Sequence, residues 1–183
     1  MIQVIWGQQV QQVRKVCKVC KARKAYKEMT AHKACKDCKA QLVQQVVEFH
    51  EAPMEERGLT VTIDGDTALS VDEPLVKRAL SNLLGNAIRY AEKGSRLCVR
   101  IGHESDTGVR LWVENVGPSI EAEHIPRLFD RFFRADASRC ELEKPHHGLG
   151  LSIVAAIARM HDGFPAAESV GGTTRVGFSL HAA

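Results

Sequence analysis

The chain has 183 residues, 44% of them hydrophobic and 26% charged, with a net charge of +3. That composition fits a soluble globular domain with an appendage and excludes a collagen-like or wholly disordered chain. No apolar run approaches the roughly 18 residues needed to span a bilayer, so no membrane span is expected.

The charge is unevenly placed. Residues 1–40 hold ten Lys/Arg against Glu28 and Asp37, a net +8, which leaves −5 for residues 41–183. Two pieces of different character meet near residue 40, and the domain division is drawn there: 1–40 a basic extension, 41–183 a globular domain. The start, MIQVIWGQQVQQ, lacks an early basic region and a cleavage site, so a cytoplasmic, reducing compartment is the expectation.

From Val10 the extension repeats every three residues, with valines or alanines in one phase and lysines in another. A step of three drifts around an α-helix and makes no single seam, which predicts a marginal basic helix or a disordered tail. Cys17-x-x-Cys20 and Cys35-x-x-Cys38 have a spacing close to that of zinc ribbons. The intervening KARKAYKEMTAHKA has no Gly, Pro or Asn to turn the chain, and the cysteines fall in phase with the repeat. Both a Zn²⁺ site and a biased-composition tail therefore stay open. A basic tail adheres to anions in general, but without interleaved aromatics no specific nucleic-acid partner is expected.

Leu42, Val43, Val46, Val47 and Phe49 begin a helix that is expected to run to Gly58. Leu59–Gly65 alternates as a strand, and Ala68–Val71 is a second short strand. Asp72–Lys93 is the strongest helical pattern. Leu75, Val76, Ala79, Leu80, Leu83, Leu84, Ala87 and Ile88 form one apolar stripe, with Asp72 as cap. A second stripe, Arg78, Asn82, Asn86, Arg89 and Lys93, sets two carboxamides among cations. Asn inside a helix costs roughly 0.5 kcal/mol relative to Ala, so this face reads either as half of a nucleotide-triphosphate and Mg²⁺ site or as a solvated face with incidental asparagines.

Arg96–Glu104 and Val109–Asn115 alternate as strands around SDTG, a hairpin signal. The second ends in Glu114-Asn115-Val116-Gly117, a hydrogen-bonding side chain followed by a glycine, which suits a pocket for a flat base. Arg127–Arg134 mixes three aromatics with cations. Residues 135–147 are polar, contain Pro145 and show no period, which predicts a loop. Gly148-Leu149-Gly150-Leu151 then opens a helix to about Met160, where glycines bring backbone N–H groups close to phosphates. Gly171-Gly172-Thr173-Thr174 turns into a last strand, Arg175–Leu180, of a closing strand pair. Helices over an antiparallel or mixed sheet, an α/β two-layer sandwich, bury these faces most simply.

Taken in order, these segments resemble the catalytic ATP-binding domain of sensor histidine kinases, in the group shared with gyrase and Hsp90. Asn82-x-x-x-Asn86 looks like the N box, Glu114–Gly117 the G1 box, Phe129–Phe133 the F box and His147–Leu151 the G2 box. The form VEN-x-G and the HHGLGL junction look most like the heavy-metal-sensing branch. The resemblance covers residues 41–183 and implies ATP-dependent transfer of phosphate to a histidine in two-component signalling. It implies that Asn86 ligates Mg²⁺, that Asn82 and Arg89 face the phosphates, and that Tyr90 lies by the adenine or ribose. It implies further that Asn115 receives the adenine amino group, that 135–147 is the ATP lid, and that the N–H groups of Gly148, Leu149 and Gly150 lie near the phosphates. Gly117, Ile120, Phe132, Arg134, His147, Leu151 and Thr174 complete the ATP-binding set. Asn115 stands where most of the group has Asp, and His146 where the G2 box usually has Gly. The acceptor motif H-E-x-x-[ST]-P has only the look-alike His50-Glu51-Ala52-Pro53. The expectation is therefore a truncated or rearranged kinase without its own acceptor hairpin, partnered by such a hairpin in trans and by a response regulator.

Overall fold

The structure is a computed structural model that describes residues 40–65, 71–105, 108–135 and 148–181. Cys17, Cys20, Cys35 and Cys38 lie outside the described residues, as do Cys140, His146, His147 and the whole expected lid except Ala135.

The first helix differs from its expected extent. It stops as α1 (Ala40–Phe49), turns at His50, and resumes as the short α2 (Glu51–Glu55). Pro53 is the cause: it has no N–H for the Phe49 carbonyl, and its ring crowds that carbonyl, so the helical ladder breaks there. His50 accordingly sits outside the helical region at φ −102 and ψ 10. Leu42, Val43, Val46 and Val47 of α1 are buried in the common core, and Gly58 then carries the chain at φ +63 into β1 (Thr60–Asp64). Of the expected strand at 68–71 only Val71 is described; it is a buried isolated bridge.

The central helix, α3 (Glu73–Tyr90), forms as its pattern dictates. Asp72 Oδ1 accepts the N–H of Leu75 at 3.2 Å, a cap of about 1 kcal/mol, and Pro74 occupies the first turn where no N–H is needed. Val76, Ala79, Leu80, Leu83, Leu84, Ala87 and Ile88 are all buried, while Leu75 is partly so. The helix ends one turn before Lys93, because Ala91 adopts extended geometry; Lys93 lies in the following turn and off the polar stripe.

β2 (Arg96–Ser105) and β3 (Gly108–Val116) pair antiparallel, with Leu97 opposite Asn115 and Ile101 opposite Leu111. α4 (Gly150–Met160) precedes the closing pair β4 (Pro165–Val170) and β5 (Thr173–His181). The sheet order is β1-β2-β3-β5-β4, parallel only between β1 and β2. A parallel pair needs a long crossover, which α3 supplies. The mixed sheet is thus covered on one face by α1, α3 and α4, and Leu97, Val99, Leu111, Val113, Phe178 and Leu180 meet Leu80, Leu83, Leu84 and Val154 there.

The opposite face is polar. Arg100 pairs with Glu114 at 3.0 Å, Arg175 pairs with Glu168 at 2.9 Å, and the Trp112 ring lies between the guanidinium groups of Arg110 and Arg175. Such exposed pairs contribute only about 0–1 kcal/mol each, so the sheet's stability rests on its helix-covered side. No helix of the described residues is long and apolar enough to cross a membrane.

Candidate functional site

The polar stripe of α3 runs along the edge of the helix layer. Asn82, Asn86 and Arg89 are each half-buried and Tyr90 is exposed. The first-turn end of α4 closes against one end of this stripe. A β-carbon on Gly150 would lie 3.4 Å from Asn82 Oδ1, so the glycine lets the start of α4 approach the carboxamide. Leu149 stands at the cap position with no side-chain cap, and Ser152 Oγ turns back to the Leu149 carbonyl at 2.9 Å. Leu149 thus caps none of the leading N–H groups of α4 with its side chain, an arrangement suited to anions.

The other end of the stripe meets the ends of the strands. Glu92 donates its N–H to the Val116 carbonyl at 2.8 Å, and Gly117 donates its own to the Gly172 carbonyl at 2.8 Å. A β-carbon on Gly117 would lie 2.2 Å from the Tyr90 carbonyl oxygen, so only glycine permits this junction of α3 and β3. Beside it Asn115 and Thr174 are partners across β3 and β5, and each is only 6% exposed. Ser169 Oγ accepts the N–H of Ile120 at 2.9 Å and lies 2.8 Å from Thr174 Oγ1, which ties Ile120 to this polar patch. Sequence reasoning missed Ser169: its strand, Pro165–Val170, carries only a faint alternation.

The segment between β3 and α4 is anchored by Phe133. Its ring meets the His124 ring edge at 5.7 Å and the Arg127 guanidinium at 4.5 Å. One 3-10 turn, Ile125–Arg127, lies in this segment, with Leu128 buried beside it. Phe132 is 69% exposed and held at φ +64, and its N–H donates to the Gly148 carbonyl at 3.0 Å. Arg134 is exposed just beyond.

The structure therefore brings together Asn82 with Gly150, Tyr90 and Asn115 with Gly117, Thr174 with Asn115, and Phe132 with Gly148. Asn86 and Arg89 stand between the two ends on α3. From Asn82 to Tyr90 the helix rises about 12 Å, at about 1.5 Å per residue. Two shallow depressions, of about 430 and 240 Å³, lie instead on the polar sheet face, the larger around Arg100, His103 and Trp112. They share no residue with the α3 stripe.

The family model for the histidine kinase-, DNA gyrase B-, and HSP90-like ATPases matches residues 71–183. The chain belongs to this family. It is 42% identical over 144 residues to the sensor histidine kinase CusS of Escherichia coli (strain K12), covering 78% of this chain and 30% of that protein. It is 39% identical over 130 residues to the probable sensor kinase SilS of Salmonella typhimurium, covering 69% of this chain and 26% of that protein. The chain thus spans under a third of the length of these relatives. Among solved structures, the nucleotide-free catalytic domain of histidine kinase ThkA superposes with a TM-score of 0.69 at 23% identity, covering 81% of this chain and 95% of that one. The fold expected from the sequence, an α/β two-layer sandwich of the histidine-kinase type, is the fold observed.

Proposed function

We propose that residues 41–183 act as the catalytic ATP-binding unit of a cytoplasmic sensor histidine kinase. The supporting observation is the α3 stripe, closed by Gly150 at Asn82 and by Gly117 at Tyr90, with uncapped N–H groups at one end and a buried Asn–Thr pair at the other. The N–H groups of Gly148, Leu149 and Gly150 and the side chains of Asn82 and Arg89 face the phosphates. Tyr90, Gly117, Ile120 and Thr174 border the base, whose amino group donates to Asn115 Oδ1. Phe132, Arg134 and Leu151 line the lid side.

The donor set suits Mg²⁺. Asn86 offers a neutral, hard oxygen on a half-exposed helix face, with no carboxylate beside it on the stripe, which fits an ion that keeps several waters and takes phosphate oxygens. When bound, Mg²⁺ neutralises charge that develops on the transferring phosphate. The protein's own part is positioning: an imidazole nitrogen on a dimerising hairpin attacks the γ-phosphorus in line, the bond to the β,γ-bridging oxygen breaks, and ADP leaves with that electron pair. A response regulator then receives the phosphoryl group. The proposal is tested by titrating ATP with and without Mg²⁺, then adding a separate dimerising hairpin from a related kinase. Micromolar-to-millimolar Mg²⁺-dependent binding and acid-labile labelling of the hairpin are expected, in the ordinary range for such enzymes. Absence of nucleotide binding would refute the site.

A further inference from the structure

We propose that this nucleotide site discriminates only weakly between 6-amino and 6-oxo purine triphosphates, because Asn115 and Thr174 can each exchange hydrogen-bond donor and acceptor roles. The inference rests on the base lying against Asn115, as in the reading above.

Among the described residues Asn115, Thr174 and Ser179 are the buried polar side chains. Ser179 is committed to structure, since its Oγ accepts the Phe164 N–H at 3.0 Å. Asn115 and Thr174 are cross-strand partners on the helix-facing side of β3 and β5, at the strand ends that meet the end of α3. The backbone beside them is already used, because the Gly117 N–H is taken by Gly172. Asn115 Nδ2 is 3.4 Å from where a Gly117 β-carbon would be, and the opposite amide orientation fills almost the same space.

A carboxamide offers an acceptor oxygen and a donor NH₂ that exchange places on a half-turn about a soft torsion. Asn115 therefore accepts from a 6-amino group in one orientation and donates to a 6-oxo group in the other. Thr174 has the same latitude. Its hydroxyl pairs with Ser169 Oγ at 2.8 Å, and either oxygen of that pair can be the donor. Thr174 can then donate to an unprotonated ring nitrogen or accept from a protonated one, as the two purine types require. A carboxylate at position 115 would only accept, and would set its charge against a 6-oxo oxygen.

Inosine triphosphate changes only the 6-position and the proton on the adjacent ring nitrogen, so it is the clean probe. Dissociation constants for Mg²⁺-ATP and Mg²⁺-inosine triphosphate would be measured on the full chain and on Asn115→Asp. The unmodified chain is expected to prefer ATP by less than about tenfold, whereas one unmatched buried hydrogen bond costs about ten- to hundredfold. Asn115→Asp is expected to widen the preference by about tenfold or more, through loss of inosine triphosphate binding. A preference of tenfold or more in the unmodified chain, or an unchanged ratio in Asn115→Asp, would overturn the proposal. The first of these needs no variant to fold. If neither nucleotide binds, the ATP-site reading itself fails and this inference falls with it, whereas tight ATP binding with strong rejection of inosine triphosphate defeats the inference alone.

Discussion

Phe132 donates its backbone N–H to the Gly148 carbonyl at 3.0 Å, which holds these two residues, distant in the chain, against each other. Gly148 sits at φ +63, and a β-carbon there would lie 2.9 Å from both Cα and C of Phe132. Gly148→Ala is therefore expected to separate the two residues, at about 1–3 kcal/mol of local strain, and to weaken ATP binding while the core stays folded. Thermal unfolding together with ATP titration checks this. Unchanged affinity would detach the Phe132–Gly148 contact from the site.

Gly117→Ala should act at the other end of the stripe. Its new methyl would meet the Tyr90 carbonyl oxygen at 2.2 Å, so the Glu92–Val116 and Gly117–Gly172 hydrogen bonds must shift. A stability loss of about 1–3 kcal/mol by chemical denaturation is expected, with loss of nucleotide binding. Wild-type stability would contradict the tight junction.

Asn86 and Leu83 lie on the same helix and should separate binding from stability. Asn86→Ala removes a half-exposed carboxamide, and is expected to weaken Mg²⁺-ATP binding with little change in unfolding. Leu83 is 2% exposed, so Leu83→Ala should cost about 2–5 kcal/mol through the cavity it leaves. Equal loss of stability in both variants would show the polar stripe to be structural.

His50 is expected to make stability depend on pH. Its ring nitrogen Nε2 lies 2.8 Å from Ser81 Oγ, and burial lowers its pKa below the ordinary 6.5. The unfolded chain thus binds this proton more readily than the folded one. The His50 contribution is complete above pH 6.5 and is lost as pH falls below it toward the lowered folded value. His50→Gln should flatten the fall of the denaturation midpoint as pH drops below 6.5. An identical pH profile in the variant would exclude the effect. The same contact ties His50 to α3, a poor setting for an acceptor imidazole that must move to a γ-phosphate.

The central helix was legible in the sequence, because eight apolar residues at helical spacing and an Asp at the cap leave no other periodic solution. The alternating strands β2 and β3 and the glycine-led start of α4 were legible for similar reasons: each is written in residues close together in the chain. The break at His50 was missed although Pro53 announces it, since the apolar period before it masks a local clash. The early end of α3 was missed because Lys93 continues the stripe's spacing, while the chain leaves the helix at Ala91 and Glu92 bonds Val116. Tertiary structure alone decided which residues meet. Nothing local to Gly117 tells that its α-hydrogen faces the Tyr90 carbonyl, and nothing near Ser169 tells that its hydroxyl joins Ile120 to Thr174. Those contacts arise where strands distant in sequence pair in one sheet, and their geometry is set by strand register and helix packing, which residue spacing along the chain does not encode.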